Sequence, residues 1–204
     1  MIKTVVFDLG GVYFKRGTHL MLPKLFNLLE APPDRIREVF TNYRKKEGWL
    51  FRRGAISAEE FWERAREKLD LGLKEAEQIK KFWYASYEPI EGMPELVRDL
   101  REGGYYVIAF SGNIKERMEF LDQRYGIHNE FDDFVLSFDF GLSKREERFY
   151  IILLQSIKCQ PQECVCIDDS LRIVKTEQEL GLKTIHFKDA DQTRSELQKM
   201  GVSI

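Results

Sequence analysis

Four groups of polar residues follow or adjoin short apolar stretches of this 204-residue chain, and their types suit chemistry. Asp8 follows TVVF and precedes two glycines, and Ser111-Gly112-Asn113 follows YYVIAF. Lys144 stands before a helical pattern, and Asp168-Asp169-Ser170 follows CVCI. Ligands of open parallel sheets bind at the carboxyl ends of the strands. We therefore expect these carboxylates, the hydroxyl and the lysine to meet at one edge of a sheet.

Such a set of groups suits phosphoryl transfer. A carboxylate can attack phosphorus and divide one displacement into two through an aspartyl phosphate. Clustered carboxylates repel one another unless a cation lies between them, and oxygen-only ligands at a phosphate site suit Mg²⁺. A lysine such as Lys144 offsets charge on the nucleophile and on the transferring phosphoryl group, so it is a candidate for both catalysis and phosphate binding. A serine hydroxyl and backbone N–H groups at a helix N-terminus can bind the other phosphoryl oxygens.

The elements that must position these groups are short strands separated by helices. Four β-branched or aromatic runs predict buried parallel strands at 4–7, 105–110, 164–167 and 183–187, with a weaker fifth at 134–137. Helical patterns between them are closed by glycines, as at Gly103-Gly104 and Gly181. The alternation predicts an α/β fold with an open parallel sheet covered by helices on both faces.

One long segment interrupts this alternation, because residues 15 to 88 carry only helical patterns. Four amphipathic helices with short loops are predicted there, the third opened by the capping box Ser57-Ala58-Glu59-Glu60. A second capping box, Ser143-Lys144-Arg145-Glu146, predicts the start of a helix near Lys144. The segment is therefore expected to form a small helical bundle inserted after the first strand.

Composition excludes several classes of partner. The net charge of −2 favours neither nucleic acid nor an anionic membrane. No apolar run approaches the ~20 residues that span a bilayer, and the N-terminus lacks the features of a signal peptide. The three cysteines are best interpreted as reduced thiols. These features predict a cytoplasmic protein, and the sequence does not indicate its oligomeric state.

The motifs FDLGGV, FSGN, GLSKREERFY and CIDDS resemble, in this order, the four motifs of the haloacid dehalogenase-like (HAD) hydrolases. The chain looks most like the branch with a helical cap inserted after the first motif. The resemblance implies a Rossmann-like core of residues 1–14 and 89–204 with a four-helix cap of 15–88. Most such enzymes are Mg²⁺-dependent phosphatases of small phosphorylated metabolites, such as sugar phosphates.

The resemblance also implies a role for each motif residue. Asp8 matches the nucleophile, and Ser111, with Gly112 and Asn113 beside it, matches the phosphate-binding motif. Lys144 matches the motif lysine, although Arg145 follows it where proline is usual. Asp168-Asp169 matches the acidic pair that holds the metal with Asp8. Asp169 is favoured as a direct ligand, and Asp168 as acting through water or by holding the lysine.

Gly10 is the main departure from the family pattern. The family phosphatases usually carry aspartate there, which protonates the leaving oxygen, activates water and binds Mg²⁺ through its backbone carbonyl. Glycine keeps the carbonyl but loses a proton-transfer group that contributes roughly 10²- to 10⁴-fold in rate. The sequence therefore predicts a phosphatase of attenuated activity, with His19 as a candidate replacement for the missing acid.

Other functions remain open at this point. A weakly active or non-catalytic phosphate-binding regulatory protein is the main alternative, and a 2-haloacid dehalogenase is a weaker one. A dinucleotide-dependent redox enzyme is disfavoured, because no G-x-G-x-x-G motif follows the first strand. Arg52 and Arg53, expected in a loop before Ser57, could face the substrate or lie on a surface loop.

Overall fold

A five-stranded parallel sheet forms the centre of the computed structural model, which describes all 204 residues. The strand order is β3-β2-β1-β4-β5. The strands are β1 (Thr4–Phe7), β2 (Tyr106–Ser111), β3 (Asp133–Leu136), β4 (Cys164–Asp168) and β5 (Lys183–His186). All five predicted strands are confirmed within one residue at each end, and the Rossmann-like α/β fold is confirmed with them.

Eleven α-helices and two 3₁₀ turns, Ile127–Asn129 and Pro161–Glu163, connect these strands. The helices are α1 (Gly17–Leu28), α2 (Pro33–Phe40), α3 (Glu47–Arg52), α4 (Ala58–Leu69), α5 (Leu73–Ala85), α6 (Met93–Glu102), α7 (Lys115–Tyr125), α8 (Ser137–Phe140), α9 (Glu147–Ser156), α10 (Leu171–Glu179) and α11 (Ala190–Lys199). None of them is long and apolar enough to cross a membrane.

Helices cover both faces of the sheet, as the strand composition requires. Val6 on one face packs in a cluster with Phe149 and Leu153 of α9. Val5 and Phe7 on the other face belong to a larger cluster that includes side chains of α6. Because successive strand residues point to opposite faces, a strand that is apolar at every position buries both sides.

The central position of β1 explains where the site lies. Phe7 is paired with Ala109 of β2 on one side and with Ile167 of β4 on the other. The backbone N–H of Asp8 then donates to the carbonyl of Ile167 at 2.9 Å. The carboxyl ends of the three central strands therefore come together at one edge of the sheet.

The segment between β1 and α6 contains five helices rather than the four predicted. The additional helix is the short α3, so Arg52 ends a helix instead of lying in a loop as expected, and Arg53 follows it directly. Buried aromatic rings hold the segment together: Phe51 stacks on Phe61 at 4.3 Å, and Phe40 meets Trp83 edge-on at 5.1 Å. The division of the chain into a core and a cap stays a prediction.

The turn that carries Lys144 also differs from expectation. The capping box predicted a helix beginning just after Ser143, but α9 begins at Glu147. The Glu146 carboxylate accepts hydrogen bonds from the N–H and the hydroxyl of Ser143, at 3.0 and 2.8 Å, and so closes a turn. Tyr150 donates to the carbonyl of Lys144 at 3.0 Å. Lys144 consequently lies on a braced turn before the helix.

Candidate active site

Lys144 links two carboxylates at the edge of the sheet. Its ammonium group donates to Asp8 Oδ1 and to Asp168 Oδ2, both at 2.8 Å. The lysine side chain is only 12% exposed and also lies over the ring of Phe110, 4.7 Å from its centroid. A buried ammonium is stable here because two anions surround it.

Burial and neighbouring charges shift the pKa values of Asp8 and Lys144. Burial raises the pKa of Asp8 to about 7, Lys144 acts in the opposite direction, and the charges of Asp168 and Asp169 raise the pKa further. Burial by itself would lower the pKa of Lys144, but Asp168 and Asp8 outweigh it and the pKa lies well above its ordinary value. The lysine is therefore always charged, while Asp8 needs more positive charge nearby to be fully ionised at neutral pH.

The three carboxylates predicted as metal ligands are brought together by the fold. One oxygen each of Asp8, Asp168 and Asp169 lies within 4.8 Å of the others. The carbonyl of Gly10, at the turn after Asp8, accepts no hydrogen bond from the chain's backbone. An all-oxygen set of this kind fits Mg²⁺, which binds through one or two carboxylates and keeps several waters.

Asp168 and Asp169 differ in their hydrogen-bond partners. Asp168 has both oxygens engaged, one by Lys144 and the other by the N–H of Ser170 at 2.8 Å. Asp169 is paired with Arg16, which binds Oδ2 and leaves Oδ1 without a partner in the chain. The arrangement fits Asp168 as the residue that holds the lysine and Asp169 as the freer metal ligand.

Close approach of Asp169 to the first turn requires Gly11. The backbone of Gly11 has φ +113°, and a Cβ there would lie 1.8 Å from Asp169 Oδ2. Gly10 has no such restriction, since a Cβ at that position would meet only Tyr87, at an ordinary 3.7 Å. Glycine is therefore required by geometry at position 11 but not at position 10.

Candidate phosphate-binding donors surround the Asp8 carboxylate. Ser111 is nearly buried at the end of β2, and its hydroxyl makes no hydrogen bond within the chain. The backbone N–H groups of Gly10, Gly112 and Asn113 likewise donate to no backbone acceptor. All four residues, with Asp8, line one cavity of about 290 Å³, so these donors are available to a ligand.

The side chain of Asn113, a predicted phosphate-binding residue, is engaged within the protein. Its Oδ1 accepts from the N–H of Ile114 at 2.9 Å and from Nη1 of Arg117 at 2.8 Å. Its Nδ2 faces the sulfur of Met118 at 3.3 Å. The amide is thus occupied inside the protein, and only the backbone of Asn113 remains open to phosphate.

The other candidates from the sequence are His19, Arg52 and Arg53, and they differ in how they contribute to the site. His19 lines the cavity, and its pKa is lowered by burial and by the charge of Arg16, so the ring is neutral at neutral pH. Arg52 is buried in the cavity wall. Arg53 instead forms an ion pair with Glu146, which connects the helical segment to the turn of Lys144.

Six further cavity residues were missed from the sequence, and the three charged or aromatic ones among them are Arg16, Tyr87 and Arg117. Arg16 stands in the turn region after Asp8, where a basic residue beside expected carboxylates was an available signal. Arg117 lies one helical turn after Asn113, but an arginine in an amphipathic helix normally faces solvent. Nothing in the sequence near Tyr87 indicates that it faces Gly10.

Fold and site together define an α/β enzyme with a carboxylate nucleophile candidate at the carboxyl end of its central strand. A sequence profile described as haloacid dehalogenase-like hydrolase matches residues 2–181. The chain therefore belongs to the haloacid dehalogenase-like hydrolases, which confirms the family predicted from its motifs.

Two relatives and one solved structure resemble this chain at 22–25% sequence identity. A sesquiterpene phosphatase of Aspergillus oryzae is 22% identical, over 97% of this chain and 96% of its own length. The flavin mononucleotide hydrolase 1 of Arabidopsis thaliana is 25% identical, over 63% of this chain and 52% of its own. A HAD family enzyme of Bacteroides thetaiotaomicron, solved with magnesium and inorganic phosphate, superposes with a TM-score of 0.75 at 23% identity, covering 93% and 96% of the two chains.

Replacement of Gly11 by alanine tests the close approach of the first turn to Asp169. We expect Gly11→Ala to lower the free energy of unfolding by about 2 kcal/mol or more, because backbone strain and overlap with the carboxylate add together. Gly104→Ala is the matched control: its φ is +82°, and a Cβ there meets nothing within 4 Å. Urea unfolding measures both variants, and equal losses would contradict the proposed overlap.

Glu177 of α10 offers a test of the electrostatics beneath the site. It is 1% exposed, and its Oε2 has no hydrogen-bond partner. Burial raises the pKa of Glu177 to about 8, Lys144 opposes the rise, and Asp168 and Asp8 add to it. The folded protein then binds a proton that the unfolded chain releases, so this group's stabilisation is present at low pH and lost as pH rises through about 8.

We expect Glu177→Gln to flatten the pH dependence of stability in metal-free buffer. Between about pH 5 and pH 9 the variant should lose roughly 2–4 kcal/mol less unfolding free energy than the wild type. Urea unfolding at a series of pH values checks this, with the exposed Glu179→Gln on the same helix as control. Parallel profiles for Glu177→Gln and wild type would contradict it.

Proposed function

We propose that the protein is a Mg²⁺-dependent phosphatase of small phosphorylated metabolites, such as sugar phosphates, acting through an aspartyl phosphate at Asp8. The observation that carries this proposal is the ammonium of Lys144 at 2.8 Å from both Asp8 and Asp168. It lies beside a third carboxylate and a set of free phosphate donors.

The relatives support phosphate-ester chemistry. One of them is named as a flavin mononucleotide hydrolase and another as a sesquiterpene phosphatase. A solved enzyme of the same fold contains magnesium together with inorganic phosphate. The cavity above Asp8 has a volume of only about 290 Å³, so we expect a substrate smaller than flavin mononucleotide.

In the proposed first step, a carboxylate oxygen of Asp8 attacks phosphorus and the bond to the leaving oxygen breaks. Lys144 keeps its charge throughout, because its pKa is raised, and neutralises part of the negative charge around the nucleophile. The hydroxyl of Ser111 and the N–H groups of Gly112 and Asn113 orient the phosphoryl oxygens. Water then attacks the aspartyl phosphate, which releases phosphate and restores Asp8.

Asp8, Asp168 and Asp169, with the carbonyl of Gly10, would hold the Mg²⁺ ion. When bound, the ion offsets the repulsion among the carboxylates and polarises a phosphoryl oxygen. It would also lower the raised pKa of Asp8, so that the nucleophile is ionised at neutral pH.

Gly10 determines which leaving groups suit this site. No side chain stands where the family phosphatases carry their acid, and a neutral His19 is a poor proton donor at neutral pH. Esters whose leaving oxygen needs little protonation, such as aryl or anomeric sugar phosphates, are therefore favoured. The space beside Gly10, where a Cβ meets Tyr87 at 3.7 Å, would admit an aspartate.

Substitutions at Asp8 and Gly10 test the proposal with p-nitrophenyl phosphate and an alkyl phosphate, each with and without Mg²⁺. We expect Asp8→Asn to lower kcat by about a thousandfold or more, since it removes the nucleophile. Gly10→Asp should raise kcat/KM for the alkyl ester by roughly 10²- to 10⁴-fold and for the aryl ester much less.

The exposed Asp191→Asn serves as the control for Asp8→Asn and should match the wild type. Activity that persists in Asp8→Asn, or that ignores EDTA, would overturn the phosphatase proposal. Phosphate binding without turnover of any ester would favour the regulatory alternative instead.

A further inference from the structure

Arg117 is a buried arginine whose hydrogen-bonding capacity is mostly unused. It is 1% exposed and lines the cavity above Asp8. Its Nη1 donates to Asn113, but its Nε and Nη2 have no partner. Buried guanidinium groups are normally paired, so two unpartnered donors on a residue that lines a cavity indicate a missing acceptor.

The orientation of Arg117 is fixed by aromatic rings. The guanidinium carbon lies 4.2 Å from the centroid of Tyr87 and 4.4 Å from that of Trp83. Trp83 donates to the hydroxyl of Thr18 at 2.9 Å, and the hydroxyl groups of Thr18 and Tyr87 are hydrogen-bonded at 2.7 Å. The guanidinium is therefore held in place before any ligand arrives, which is how a recognition group is preorganised.

Arg52 places a second cation in the same wall. It is 8% exposed, and its two terminal nitrogens donate to the carbonyls of Gly48 and Phe40, each at 2.9 Å. These carbonyls accept hydrogen bonds from Arg52 but carry no net charge, so they do not neutralise the guanidinium. Neither Arg52 nor Arg117 forms an ion pair with a carboxylate, although Glu116 acts on Arg117 from a distance.

The excess of positive charge shifts the pKa values of neighbouring groups. Burial alone would raise the pKa of Tyr87, but the Arg117 and Arg52 cations outweigh burial and lower it. Burial lowers the pKa of Arg52 to about 10, and Arg117 adds to the effect. Guanidinium groups keep their proton in proteins, so both arginines are cations, and neither is paired with a carboxylate.

The cavity that joins these arginines to Asp8 is small and polar. Of its 14 lining residues only Tyr87 is hydrophobic, and its volume is about 290 Å³. That is at the lower limit of the ~300–1,000 Å³ usual for ligand pockets. A compact polar molecule fits this space better than an apolar or nucleotide-sized one.

We propose that Arg117, together with Arg52, binds a second anionic group, a carboxylate or a phosphate, on the leaving-group portion of the substrate. Among the esters that this site can cleave, the substrate class is then a small phosphomonoester with a further acidic group a few carbons from the scissile phosphate, and alkyl esters report the preference at a lower rate. This assignment rests on the proposed phosphatase function and specifies the substrate of that site. Arg117 orients the substrate and takes no part in the bond-breaking step.

Matched three-carbon substrates test the assignment: propyl phosphate, 3-phosphonooxypropanoate and propane-1,3-bisphosphate. With Mg²⁺ present, wild type should hydrolyse at least one acidic substrate with a kcat/KM about tenfold or more above that of propyl phosphate. The preferred acidic substrate tells a carboxylate site from a phosphate site. Equal or lower kcat/KM for both acidic substrates would overturn the assignment.

Variants locate the preference in the arginines. Arg117→Gln and Arg52→Gln should each remove most of the preference for the acidic substrate, mainly through KM. Arg124→Gln, exposed on the same helix as Arg117, should keep it. If Arg117→Gln does not fold, as judged by circular dichroism, the wild-type preference and Arg52→Gln decide. A preference retained in a folded Arg117→Gln would contradict the proposal.

A binding measurement separates this inference from the phosphatase proposal. Calorimetry on Asp8→Asn with Mg²⁺ should give tighter binding of the acidic probe than of propyl phosphate, with the difference lost when Arg117→Gln is added. Such binding without any wild-type turnover would overturn the phosphatase function and leave the anion site standing. Turnover without a preference for acidic substrates would do the reverse.

Discussion

Repulsion among three carboxylates is the constraint on which this structure depends. Asp8, Asp168 and Asp169 place ligand oxygens within 4.8 Å of one another in a nearly buried location. Lys144 offsets part of that charge by bonding to two of them, and Arg16 pairs with the third. What remains is a negative site suited to a divalent cation, and the raised pKa of Asp8 reflects the charge still missing.

The sheet and its loops serve this arrangement. The parallel order with β1 at the centre aligns Asp8 with Asp168 across neighbouring strands. Gly11 lets the first turn pass beside Asp169, and the braced turn before α9 presents Lys144 from the other side. The sheet and the Gly11 turn bring like charges closer together than unconstrained loops would allow, and the Lys144 turn supplies a compensating cation. The stability of the sheet therefore supports a site whose carboxylates repel one another.

The helical segment supplies the opposite charge. Its Arg52 and the nearby Arg117 face the cavity with no acidic partner, while Asp8 and Asp169 line the same cavity. In the proposed function, Mg²⁺ at the carboxylates would hold one anionic group of the substrate, and the two arginines would hold a second. Such a site would select its substrate by binding, which does not need an acid at Gly10.

The sequence by itself determined the family, from the order of four short motifs, and the five strands with the residues at their ends, from β-branched and aromatic runs. An apolar run that ends in a carboxylate is a local pattern, which the sequence shows directly. Parallel pairing then places the carboxyl ends of such strands at the same edge of the sheet. Tertiary structure alone decided what depends on distant packing: the bond from Lys144 to both Asp8 and Asp168, the diversion of Asn113 to Arg117, and the short α3 that buries Arg52. The orphaned donors of Arg117 lie beyond sequence patterns, because a helical arginine shows whether it faces solvent or a cavity only when its neighbours are in place.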